Sequence, residues 1–199
     1  REGFAMVPGL DSHVVQVDWE SDEDLVRRLP NSRYRRASKR SLERRDLYTV
    51  RRLTGEEPDL ELTCARLHRL YLEIAEHKVR LNTFLLPQDL RPQLVRSGAW
   101  EVMTMHLDRA EGGPSDGGPI AFWAAHRCDG HYAPLFGGLD YRYVASHGSY
   151  KQLLFQVLRR ARAEGMTQVH LGMDADLEKR RWGSVARPTC MYVQADDSY

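Results

Sequence analysis

One stretch of this 199-residue chain has the residue types and spacing of an anion site: a helix whose first turn contains Gly148 and Ser149, with Lys151 just beyond. A helix start leaves backbone N–H groups without intrahelical partners and carries partial positive charge. A pyrophosphate can rest there without a basic side chain, and Lys151 adds to the field. The same Gly-Ser pair also suits plain helix capping. A second phosphate-directed feature lies upstream, where nine basic residues fall between Arg33 and Arg52 against only Glu43 and Asp46. Such a run either meets the phosphates of a cofactor or of RNA, with an attraction that weakens in salt, or simply faces water. Other constellations carry less. His126, Cys128 and His131 straddle the Asp129-Gly130 turn, but a fourth ligand is missing and no metal is assigned. Ser146 and His147 are adjacent in sequence and no GxSxG elbow occurs, which excludes a Ser–His–Asp hydrolase of that type.

The elements that must position these residues follow from periodicity and turn chemistry. Asn31 or Ser32 caps a helix running to about Arg45, and Leu47 to Leu53 has the content of a strand. After the turn-rich Thr54 to Asp59, Leu60, Cys64, Leu67, Tyr71 and Ile74 recur at helical spacing to about His77. Pro87 opens a short helix through Leu94, and Trp100 to Leu107 reads as a strand inside the sheet. The Gly- and Pro-rich loop from Glu111 to Pro119 leads into a strand over Ile120 to Cys128. Asp129-Gly130 then turns the chain into a further strand over His131 to Phe136, completing an antiparallel meander. Beyond Gly137-Gly138 comes a loop, then a helix marked by Leu153, Leu154, Val157, Leu158 and Ala161 and ended at Gly165. Gln168 to Met173 forms another strand, Asp176 to Trp182 a short helix or turn, and Thr189 to Ala195 a last strand. This order specifies an α/β chain of mixed α+β type: a central mixed, mostly antiparallel sheet flanked by helices, with a crossover after the meander.

Size and composition fit one domain, residues 25 to 199, behind an N-terminal extension over residues 1 to 24. The chain opens on Arg1 rather than Met and has no apolar secretory stretch, so it reads as a piece of a longer polypeptide with room for a fused enzyme domain. Apolar residues make up 42% and charged residues 29%, and no apolar run approaches the roughly 20 residues of a membrane span, so a soluble chain without a membrane partner is expected. Three widely spaced cysteines with no CxxC pair argue against a disulfide framework and a structural zinc site, which points to the cytoplasm. Net charge is only +1, which does not mark a general nucleic-acid binder.

With these elements in order, the chain from about Leu25 resembles the GNAT superfamily of acyltransferases and, within it, the FemAB-like branch. The branch resemblance rests on the basic helix from Ser32, the Gly148-Ser149-Tyr150 stretch and the late segment with Lys179, Trp182 and Gly183. It implies an acyl-CoA or acetyl-CoA co-substrate laid against a splayed strand, with Phe136, Gly137, Gly138 and Leu139 on one side and His147, Gly148, Ser149, Tyr150 and Lys151 around the pyrophosphate. Tyr150 stands where relatives carry a small residue. Transfer of an acyl group to an amine then needs an oxyanion donor, a base and an acid. Backbone N–H groups near Gly138 and Leu139 suit the first role, Asp140, Asp174 or Asp176 the second, and Tyr150 or Tyr192 the third, while Lys179 suits a substrate carboxylate or phosphate. The implied acceptor is a small-molecule amine. A carrier-protein thioester and, less strongly, an aminoacyl-tRNA stand as alternative donors, and a binding module without turnover as an alternative role.

Overall fold

The computed structural model describes residues 3–77 and 85–194. A seven-stranded sheet forms the centre, built from β2 (Ser12–Gln16), β3 (Tyr48–Leu53), β4 (Trp100–Leu107), β5 (Ala121–Cys128), β6 (His131–Leu139), β7 (Gln168–Gly172) and β8 (Val185–Arg187). Their spatial order is β3-β4-β5-β6-β7-β2-β8. All neighbours pair antiparallel except β6 and β7, which are parallel and are joined by the crossover. The expected mixed sheet and the meander β4-β5-β6 are both present.

Alternation along the central strands divides the core into two layers. Val102, Phe122 and Ala124 point to the face covered by α3 (Leu60–His77) and α4 (Leu90–Arg96). Met103, Met105, Trp123 and Ala125 point to the opposite face, covered by α6 (Ser149–Ala163) and by α1 (Asp22–Arg28). Helix α2 (Ser32–Glu43) is capped by Asn31, whose side-chain oxygen accepts the Tyr34 N–H at 2.8 Å. It lies alongside α6 rather than on the sheet.

Four features depart from the sequence reading. The segment expected to stand apart as an extension over residues 1 to 24 supplies β2, which the sheet takes in between β7 and β8. It also supplies β1 (Phe4–Pro8), which pairs with β9 (Cys190–Gln194) in a separate two-stranded ribbon; Ala195, the expected end of the last strand, lies outside the described residues. Strand β6 runs on through Leu139, so Gly137 and Gly138 are strand residues paired with Trp123 and Phe122 and not the start of a loop. Gly138 is required there by close approach: a Cβ would lie 2.3 Å from the Phe122 ring and 2.7 Å from the Leu70 backbone. Finally, the expected loop before the crossover helix holds a short helix, α5 (Arg142–His147), joined to α6 by Gly148 at a left-handed φ of 68°.

The parallel pair β6–β7 is short. Only His131↔Gln168 and Tyr132↔Val169 are in register, after which the two strands diverge. Two devices bend β6 away. Pro134 has no N–H to give a neighbour, and Leu135 is an extra residue bulged between the pairs Ala125↔Pro134 and Ala124↔Phe136.

Candidate active site

The divergence of β6 and β7 opens a cleft of about 390 Å³ between α3 and α6. Trp123 and Pro134 form its floor near the fork, Leu153, Leu154 and Val157 of α6 one wall, and Tyr71 and Ile74 of α3 the other. Towards the open end it meets Phe136, Gly137, Tyr150, Met173 and Lys179. Trp123 is only 1% exposed and is held in place from behind. Its indole N–H donates to the Tyr132 hydroxyl at 2.8 Å, which donates to buried Glu101 at 2.8 Å, and Glu101 in turn accepts from the Arg160 guanidinium. Burial alone would raise the Glu101 carboxyl. The hydrogen bonds from Arg160 and Tyr132 and the charges of Arg160 and Arg127 outweigh it and hold the group below its ordinary value.

A second concavity, of about 510 Å³, lies across the first turn of α6 from the cleft. Arg33, Arg36, Arg40 and Arg44 of α2 face Gly148, Lys151 and Gln152 there. No carboxylate lies within ion-pairing distance of these four arginines or of Lys151 among the described residues. Gly148 caps α6 without any side-chain hydrogen bond, and its own N–H goes back to the Val144 carbonyl at 3.1 Å. Ser149 Oγ and Gln152 Nε2 are buried yet have no hydrogen-bond partner among the described residues. Buried polar groups are normally paired, so this turn of α6 is poised for an external acceptor and donor. The basic helix and the Gly148 helix start, two separate signals in the sequence, thus face one space.

The expected site residues fall into three groups. Phe136, Gly137, Tyr150 and Lys179 meet in the cleft, and His147, Gly148 and Lys151 meet at the basic concavity, while Ser149 is buried next to Gly148 and does not line it. Tyr150 is buried enough that its phenol is pushed well above the ordinary value, an effect to which nearby Asp174 adds. It therefore stays protonated at neutral pH. Lys179 is 4% exposed and its ammonium donates to the Gly172 and Met173 carbonyls at the end of β7. Asp174 follows directly, exposed, in the left-handed region at φ 66°, and accepts the Ala175 N–H at 2.7 Å.

The remaining candidates stand elsewhere. Asp140 is buried at the end of β6, where the Arg142 guanidinium grips both carboxylate oxygens at 2.9 and 2.6 Å and the Arg142 backbone N–H adds a bond of 3.1 Å. It lines a polar hollow beyond α3 and does not reach the cleft. Asp176 is taken up by buried His13, at 2.9 Å. Tyr192 lies on β9 in the separate ribbon, 68% exposed, away from the cleft lining. Gly138 and Leu139 are packed into the core as part of β6 and are not among the residues that line the cleft. The sequence reading missed Trp123, Tyr71 and Leu171, which look like ordinary core residues until the strands diverge. Pro134 was the available signal, since a proline inside an otherwise central strand marks a break in pairing.

With this geometry in place, comparison with known proteins is informative. Residues 31–180 match the model of the acetyltransferase (GNAT) domain family. No curated protein matches the chain in sequence. Among solved structures, the C-terminal domain of a protein described as a lysylphosphatidylglycerol synthetase from Agrobacterium fabrum is similar over 97% of this chain and 62% of its own, at 16% identity and a TM-score of 0.64. FemX is similar over 90% of this chain and 60% of its own, at 14% identity and a TM-score of 0.62. L-PGS from Bacillus licheniformis covers 98% of this chain and 64% of its own, at 12% identity and a TM-score of 0.61. The chain therefore spans less than two thirds of each of these structures, and at such identities the likeness is one of fold. The match to the family model covers most of the sequence, and the splayed sheet with its crossover helix agrees with it: the chain belongs to the acetyltransferase (GNAT) domain family.

Proposed function

We propose that the protein moves an acyl group from an acyl-CoA, with acetyl-CoA the simplest case, to the amine of a small molecule or amino-acid derivative. The observation that carries this reading is the two-sided first turn of α6. Gly148, Lys151 and Gln152 face the unpaired arginines of α2, while Tyr150, Leu153 and Leu154 face the cleft. A donor can rest its phosphates on one side and pass its thioester to the other.

In the reaction the amine loses a proton to Asp174, directly or through a water, and its nitrogen attacks the carbonyl carbon. A C–N bond forms and the C–S bond breaks. The departing thiolate takes the Tyr150 phenolic proton, and the proton held by Asp174 returns to Tyr150 through solvent, so both groups end as they began. Lys179 contributes positive field beside the carbonyl oxygen as charge develops on it. No covalent enzyme intermediate is needed. A cytoplasmic setting belongs to the same reading, supported by three cysteines that are all free thiols. Among the described residues no helix is long and apolar enough to cross a membrane. A carrier-protein thioester, delivered by a fused or separate domain, would use the same two-sided turn.

A second donor, an aminoacyl-tRNA, is favoured by one observation: the arginine row of α2 extends over three turns, further than a diphosphate needs. The two separate in one experiment. Acetyl-CoA and free CoA are expected to raise the thermal unfolding midpoint, Gly148→Asp to abolish the rise, and a panel of amines to release free CoA thiol. No rise at concentrations far above ordinary cofactor affinities would sink the CoA reading. Binding of tRNA that falls steeply with salt and is lost on charge reversal of Arg35, Arg36 and Arg40 would then take its place. A rise without thiol release from any amine would instead indicate a binding module.

A further inference from the structure

The inner end of the cleft is lined by apolar side chains. At the open end a donor meets the free edge of β6, with the Phe136 and Gly137 backbone, together with Tyr150 and Lys179. These can pair with the amides of a pantetheine arm. Past Tyr150 the cleft continues along α6 for two more turns to Val157 and ends where Tyr132 and Val169 close the sheet. Its walls there are Leu154, Val157, Leu171 and the carbon face of Trp123, each no more than 7% exposed. The polar edge of Trp123 is turned away, because its N–H is occupied by Tyr132. No side chain among these four offers a ligand a hydrogen bond, so a hydrocarbon group is favoured against them.

We infer that the acyl group carried by the donor is a medium-length or otherwise bulky apolar chain, seated between α6 and the β6–β7 fork with Trp123 as its floor. This specificity presupposes the thioester donor proposed above. Trp123 sets the depth and Val157 the length of the pocket. Glu101 is a positioning residue: with Tyr132 it fixes the indole plane against which the chain lies.

Isothermal titration of the protein with CoA, acetyl-CoA, butanoyl-CoA, hexanoyl-CoA and octanoyl-CoA tests this without knowledge of the acceptor. Affinity is expected to rise about three- to fourfold per added methylene until the pocket is full. Val157→Phe should remove the gain beyond butanoyl-CoA, and Val157→Ala should move the best chain to a longer one. The second variant keeps the test open if the first fails to fold. Equal affinity for CoA, acetyl-CoA and octanoyl-CoA would overturn the inference while leaving the CoA donor in place. A length preference that neither Val157 variant alters would also overturn it. Absence of binding by CoA and by every acyl-CoA would overturn the donor reading itself, and with it this specificity.

Discussion

Arginines stand on two sides of α6, and the two sets differ in what they hold. Arg159 and Arg162 end on Asp22, Arg160 on Glu101 and Glu164, and Arg127, from β5, on Glu164. Those carboxylates come from α1, β4 and the C-terminal cap of α6, so this set ties the crossover helix to the sheet and to the N-terminal segment. Arg33, Arg36, Arg40 and Arg44, on α2, meet no carboxylate among the described residues and converge on the start of α6. Like charges gathered without counter-charge repel one another, and folding alone gives no reason for the arrangement. An anionic ligand does. The contrast teaches that basic residues on neighbouring helices can serve stability or ligand capture, and that the presence of carboxylate partners separates the two.

The largest effect should come from breaking the paired set. Glu101→Ala leaves Arg160 and the Tyr132 hydroxyl without their buried acceptor, and is expected to remove about 3–5 kcal/mol of stability. That corresponds to a fall of roughly 10 °C or more in the unfolding midpoint for a domain of this size. The same carboxyl gives the pH dependence its sign. Its value is held below the ordinary 4.5, so its stabilisation is fully present above that pH and is lost as pH falls through the lowered value. An unfolding midpoint followed from pH 6 to pH 3 should show this acid-side loss in the wild type and a smaller one in Glu101→Gln.

Next comes the cleft, where Tyr150→Phe should lower kcat about 100-fold with KM little changed, because the phenol acts on the leaving thiolate and not on ground-state binding. A KM rise with kcat preserved would assign Tyr150 to binding instead. For the unpaired set, Arg36→Glu combined with Arg40→Glu should weaken CoA binding by about tenfold or more and flatten its salt dependence, as read by titration at two ionic strengths. Its unfolding midpoint should stay within a degree or two, since no folded-state ion pair is lost. If this variant unfolds as early as Glu101→Ala, the distinction between the two sets fails. The smallest effect is expected at Gly148→Ala. The added Cβ meets nothing within 4 Å, so only the left-handed φ is penalised, by about 1–2 kcal/mol. A few degrees in the midpoint should register it.

Much of the fold was legible in local patterns. Asp129-Gly130 specified the β5–β6 hairpin, Leu60 through Ile74 the apolar stripe of α3, and Trp100 to Leu107 the limits of β4, because turn chemistry and side-chain period act over a few residues. The site was legible in parts. Gly148, Tyr150 and Lys179 were recognisable as candidates, and the arginines of α2 as a phosphate-directed surface.

What local pattern could not decide was which of them share a space. The sequence by itself determined the helices α2, α3 and α6, the antiparallel meander and the charge of α2. Only tertiary structure decided that β2 enters the sheet beside β7, that α2 lies against the start of α6, and that Asp140 and Tyr192 stand apart from Tyr150. The first two of those outcomes depend on pairing and packing between residues more than a hundred positions apart, and no window along the chain contains both partners. The cleft follows from the same cause. A strand carrying Pro134 and a bulge at Leu135 stays paired with β5, with a shift of register at the bulge, but loses β7 after Tyr132, and the space left between β6 and β7 exists only once all three strands are in place.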